Sequence, residues 1–184
     1  MTAYVIGNGQ SRKSINLHKL NGAIYGCNKL YTEIKPLVLV ATDDPISTHI
    51  QRSGYAKTNR FYTRKAYANT GALKLKSKFA NWSSGPNALQ IAIEDGHEDI
   101  VIIGFDFGSK TNRINNVYAN TTFYDGETCY SGNWHFQIES VIKHSPKVSF
   151  TIVIGNHTNI NEEIFSKYEN VKILNDIEFN YINN

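Results

Sequence analysis

Five short aliphatic runs, most of them closed within two residues by glycine, asparagine or aspartate, limit what this chain can fold into. They are Tyr4-Val5-Ile6, Ala23-Ile24-Tyr25-Gly26-Cys27, Leu37-Val38-Leu39-Val40-Ala41, Ile100-Val101-Ile102-Ile103 and Phe150-Thr151-Ile152-Val153-Ile154. Unbroken apolar runs of this length, rather than alternating ones, mark strands covered on both faces. Helical stripes lie between them. Ala88, Leu89, Ile91, Ala92 and Ile93 follow Pro86 in a first turn and stop at Gly96. Trp134, Ile138, Val141 and Ile142 form a second stripe, and Ser11 is placed to cap a helix beginning near Arg12. A weaker strand at Arg60–Thr63, a helix near 162–168 and a short strand at 171–174 complete the pattern. Strands alternating with helices imply an α/β fold: a single Rossmann-like domain spanning 1–184, with a mainly parallel sheet and helices on both faces.

The charge balance is +3, too small to name a partner, but its distribution is uneven. No Asp or Glu stands between Pro45 and Ile93, a stretch holding Arg52, Lys57, Arg60, Arg64, Lys65, Lys74, Lys76 and Lys78. This is either a solvated basic loop or a face that meets phosphate, on a small substrate or on a nucleic acid. Two cysteines, Cys27 and Cys129, make no disulfide framework. No apolar run approaches membrane-spanning length, and the N-terminus enters a strand without a basic leader. The expectation is a cytoplasmic protein without a membrane span; self-association stays open.

In parallel α/β sheets, ligands lie beyond the carboxyl ends of the strands. Gly7-Asn8-Gly9 with Ser11 follows the first strand, where glycines let backbone amides approach an anion or a sugar. The third glycine of the dinucleotide fingerprint is absent, so a plain tight turn is the alternative. Asn28 either holds a ribose hydroxyl or base edge, or caps a helix. Of Asp43 and Asp44, one is expected to cap the helix at Pro45 and one to act on a ligand; with no third ligand nearby, a metal is not expected. Ser83, Ser84 and Gly85 put two hydroxyls at a helix start, an anion site or simple capping. Asp106 either orients a substrate or fixes its own loop.

The polar stretch 108–132 has no period and reads as a lid. Tyr118, Tyr124 and Tyr130 lie in it, and His135 follows. Tyrosine hydroxyls can donate to phosphate oxygens, and a histidine can serve as a general base at neutral pH. The six histidines show no metal-ligand spacing.

Taken in order, Gly7-Asn8-Gly9-x-Ser11, Cys27-Asn28, Ser83-Ser84-Gly85 and Ala92-x-x-x-Gly96-x-x-x-Ile100-x-x-x-Gly104-Phe105-Asp106-Phe107 resemble motifs of the bacterial sialyltransferases of glycosyltransferase family 42. The resemblance runs from about Tyr4 to Ile142. It implies a metal-independent, inverting transferase without a cofactor, taking CMP-sialic acid or another nucleotide sugar as donor and passing the sugar to an acceptor hydroxyl. Under it, Gly7, Asn8, Gly9, Asn28 and Asp43 face the nucleotide or sugar, and Ser83, Ser84 and Gly85 contact the donor. Tyr118 and Tyr124 would assist the leaving phosphate, and His135 would be the base. The chain departs from the family at Gly26, where a basic residue is usual, and at Asp43 or Asp44, where asparagine is usual. It also lacks the family's basic C-terminal extension. The acceptor is open, a glycan or a nucleic acid. The other reading of the same residues is a non-catalytic nucleotide or nucleic-acid binding module using the 52–78 segment.

Overall fold

The computed structural model describes residues 1–76, 78–108, 115–124, 126 and 133–183. Cys129, Tyr130 and most of the expected 108–132 lid lie outside these residues. The fold is α/β, built on one eight-stranded, all-parallel sheet. The strands are β1 (Ala3–Ile6), β2 (Ala23–Cys27), β3 (Val38–Val40), β4 (Arg60–Thr63), β5 (Leu73–Lys74), β6 (Asp99–Ile103), β7 (Ser149–Ile154) and β8 (Val171–Asn175). Their spatial order is β5-β4-β3-β2-β1-β6-β7-β8. The helices are α1 (Asp44–Arg52), α2 (Ser84–Glu94), α3 (Trp134–Lys143), α4 (Glu162–Ser166) and α5 (Asp176–Asn183).

The sheet grows outward from β1 to β5, and the chain then crosses back through α2 to lay β6 on the other side of β1. Parallel crossovers are right-handed, so reversing the direction of growth moves the helices to the opposite face. The cores show this division. Val5, Val38, Val40 and Ile102 pack with α2 and α3 through Ala88, Leu89, Ala92, Ile138 and Val141. Ile6, Leu39, Ile103 and Val153 pack with α1 and α5 through Ile46, Ile50 and Phe179. Strands clothed on both sides need apolar side chains at every position, which is why the runs were unbroken.

Two local expectations are corrected. The segment after Gly9 is a 3₁₀ turn, Gln10–Ser14, rather than an α-helix. Ser11 does not cap it, because its N–H and hydroxyl are both engaged by Asp106. The edge strand β5 is only two residues long, and the apolar residues of α5, Ile177, Phe179, Tyr181 and Ile182, lack the helical spacing that would make it stand out from the sequence. No helix among the described residues is long and apolar enough to cross a membrane.

Candidate functional site

The growth of the sheet reverses between β1 and β6, and the loops leaving these two strands run side by side there. Gly7 N–H donates to Ile103 O, and Gly9 N–H donates to Gly104 O, both at 2.8 Å. The two loops therefore continue the parallel pairing past the strand ends. A Cβ on Gly9 would collide with the Asp106 carboxyl and lie 2.7 Å from Gly104 O, so only glycine permits this approach. Gly104 adopts φ +72°, the left-handed region.

Above these loops lies a cleft of about 410 Å³, a volume in the range of small-molecule sites. Of the residues singled out from the sequence, Gly7, Asn8, Gly9, Asn28, Asp43, Ser83, Ser84, Gly85, Asp106 and Tyr124 line it. Segments far apart in the chain thus converge on one space. Thr42, directly after β3, lines it too; Arg64, Asn115, Asn116, Trp134 and Gln137 join them and were not expected as site residues. Arg64 had a usable signal, since it directly follows β4 in the acid-free stretch. Trp134 and Gln137 had none: their role depends on how α3 docks against α2.

Hydrogen bonds hold the mouth of α2 in place. Ser84 Oγ accepts the Thr42 N–H at 3.0 Å and meets the Thr42 hydroxyl at 3.0 Å. It donates to Asn28 Oδ1 at 3.2 Å. Asn28 sits at φ +53°, a conformation asparagine tolerates better than most residues. The Ser83 N–H donates to Gln137 Oε1 at 3.0 Å, and the Ser83 hydroxyl accepts the Trp134 indole N–H at 2.8 Å. Ser83 stands at the helix N-cap but makes no side-chain capping bond. Among the described residues nothing accepts from the first-turn N–H groups of Ser84 and Gly85, at the positive end of the helix dipole.

Among the described residues Arg64 is the cleft's cation. Its Nε donates to Ala80 O and one Nη donates to Trp82 O at 3.1 Å. No carboxylate pairs with it among the described residues. Asp43 lines the same cleft, is exposed, and occupies the N-cap position of α1 without a side-chain capping bond. Its carboxylate has no partner among the described residues. Asp106 is 4 % exposed. It accepts the Ser11 N–H at 3.1 Å, the Ser11 hydroxyl, and the Thr158 hydroxyl at 3.3 Å. Burial raises its carboxyl above the ordinary value of 3.8, against the pull of those bonds. Asn8 donates to Cys27 O at 3.3 Å, and its buried Oδ1 has no partner among the described residues. The Cys27 thiol is pushed up to about 12 by burial, so it is no nucleophile.

Four expected site residues lie outside the cleft lining. Ser11 lies behind the turn, against Asp106. Asp44 is exposed in the first turn of α1. The Tyr118 hydroxyl accepts from Arg12 Nη2 at 3.0 Å, while Arg12 makes a two-pronged pair with Glu33 at 3.0 and 2.7 Å. Burial holds the Tyr118 hydroxyl well above its ordinary value, so it stays protonated inside this cluster. His135 Nε2 accepts the Asn161 N–H at 3.0 Å, and its ring stacks on Phe107 at 4.5 Å. Burial holds its pKa below 6.5. Its acceptor nitrogen is spent on backbone, which removes the geometry expected of a base acting in the cleft.

The basic stretch is partly neutralised in space by acids from elsewhere. Arg60 pairs with Asp95 at 2.8 Å and Lys76 with Glu94 at 2.7 Å. Among the described residues no group of three or more His, Cys, Asp or Glu side chains is arranged to hold a metal. Comparison with protein-family models, curated proteins and solved structures gives no match.

Proposed function

We propose that this cleft binds a nucleotide-activated sugar, and that the protein transfers the sugar to an acceptor hydroxyl. The observation that carries the reading is the convergence of an uncapped helix start and an unpaired arginine at the reversal point of a parallel sheet. The free N–H groups of Ser84 and Gly85 and the Arg64 guanidinium suit a phosphate. The carboxamides of Asn28, Asn116 and Gln137 suit the donors and acceptors of a base or sugar. The Trp134 ring offers an apolar wall beside them.

In a single displacement the sugar leaves its phosphate while an acceptor oxygen attacks from the other side. The departing phosphate gains negative charge, and the α2 start and Arg64 stabilise that charge where it develops. We assign the assisting role to Tyr124, which lines the cleft, and not to Tyr118, whose hydroxyl is bonded to Arg12. The acceptor must lose its proton. Among the described residues Asp43 is the exposed, unpartnered carboxylate of the cleft, and we assign it the role first expected of His135. The ordered motifs shared with family 42 support the transferase reading. The alternative of a nucleic-acid module on the 52–78 segment is weakened by the Arg60–Asp95 and Lys76–Glu94 pairs.

The test is thermal-shift titration with CMP, UDP, GDP and ADP, then with their sugar conjugates, since a ligand that binds only the folded state raises its stability. The proposal expects a shift with at least one nucleotide, and sugar release in the presence of acceptor alcohols. No shift with any of them would overturn it.

A further inference from the structure

The charges inside the cleft restrict which sugar the nucleotide can carry. Among the described residues the positive features of the cleft are Arg64 and the first turn of α2, and the reading above gives both to the phosphate. Asp106 is a carboxylate in the lining, but Ser11 and Thr158 use its oxygens. Asp43 is the carboxylate left facing the cleft with no protein donor opposite it among the described residues. Its place is fixed by its neighbour: the Thr42 N–H donates to Ser84 Oγ at 3.0 Å, so Asp43 follows directly on a residue tied to the α2 start. A phosphate held at that start puts its glycosyl group beside Asp43.

We infer that Asp43 selects a neutral, hydroxyl-bearing sugar and rejects a carboxylated one. This rests on the nucleotide-sugar reading above. A sugar hydroxyl donating to Asp43 makes a charge-assisted bond and neutralises an otherwise unpaired anion. A carboxylate at the same place meets a like charge with no cation between them among the described residues, and specificity then comes from the repulsion as much as from the attraction. The residue types make the inference specific: asparagine at this position would be indifferent to the difference, and aspartate is not.

The experiment compares matched donors by calorimetric titration: UDP-glucose against UDP-glucuronate, GDP-mannose against GDP-mannuronate, and the carboxamide of CMP-sialic acid against CMP-sialic acid. Each pair holds the nucleotide constant and adds a carboxylate. For the nucleotide that binds, the wild-type protein is expected to favour the partner without the carboxylate by about tenfold or more. Asp43→Asn is expected to cut that preference to about twofold. Asp44→Asn makes the same change of net charge outside the cleft and is expected to leave the preference intact. If a pair binds but shows no preference, or if Asp43→Asn leaves the preference unchanged, the selectivity is overturned while the nucleotide site stands. If free CMP, UDP and GDP all fail to bind, the nucleotide reading falls and the selectivity with it.

Discussion

Asp106, leaving β6, accepts the backbone N–H of Ser11, 95 residues earlier in the chain, at 3.1 Å. The bond ties the 3₁₀ turn that follows Gly7-Asn8-Gly9 to the β6 loop, and Thr158 joins from the loop after β7. One carboxylate therefore sets the relative position of three loops at the floor of the cleft. The Asn159 N–H donates to the Asp106 backbone carbonyl at 2.7 Å and reinforces the same junction.

Asp106→Ala is expected to leave a buried N–H and two buried hydroxyls without their acceptor. The cost is about 3 kcal/mol, because bonds to an ionised group are the stronger kind and orphaned donors carry a desolvation penalty. Urea denaturation measures it. The native carboxyl binds its proton more tightly than the unfolded one, so Asp106's own contribution to stability is full below about pH 3.8 and shrinks as pH rises through its folded value. In Asp106→Asn that part of the pH dependence is expected to vanish.

His135 is expected to matter for stability and not for turnover. The folded imidazole resists protonation, so the unfolded chain takes up the proton first as pH falls. The His135 contribution is present above about pH 6.5 and declines below it. His135→Phe keeps the ring contacts with Phe107 and Phe165 and should flatten this acid-side decline, while sugar transfer continues. Urea midpoints between pH 5 and 8, read beside turnover, separate the two roles; a variant stable but inactive would restore His135 as the base.

Much of the fold was legible because buried parallel strands leave an unmistakable apolar signature. The runs ending at Ile6, Cys27, Ala41, Ile103 and Ile154 all became strands, and the rule that ligands sit beyond strand ends located Asn8, Asn28, Asp43 and Asp106 on the cleft. The sequence carried less about side-chain direction. Tyr118 and His135 looked chemically apt, yet local sequence does not say whether a lid residue turns toward a ligand or packs on Arg12 or Phe107. Ion pairs across the sheet were equally invisible. Asp95 and Glu94 come from the end of α2 and cancel charges that looked unopposed along the chain.

Arg64→Gln is expected to weaken binding of a nucleoside phosphate by about tenfold or more, and binding of the matching nucleoside hardly at all. The guanidinium supplies charge that glutamine lacks. Loss of its bonds to Ala80 O and Trp82 O should lower stability by only about 1 kcal/mol. Parallel titrations with nucleoside and nucleotide read the difference; equal losses for both would mean Arg64 does not meet the phosphate.

The most direct measurement is amide chemical-shift mapping of the ¹⁵N-labelled protein, titrated with the nucleotide that gives the largest thermal shift. The account predicts the strongest perturbations at the backbone amides of Asn8, Gly9, Ser84 and Gly85, where two distant loops meet a helix start. Perturbations confined to β8, α5 or the 52–60 surface, with those four amides unmoved, would contradict it.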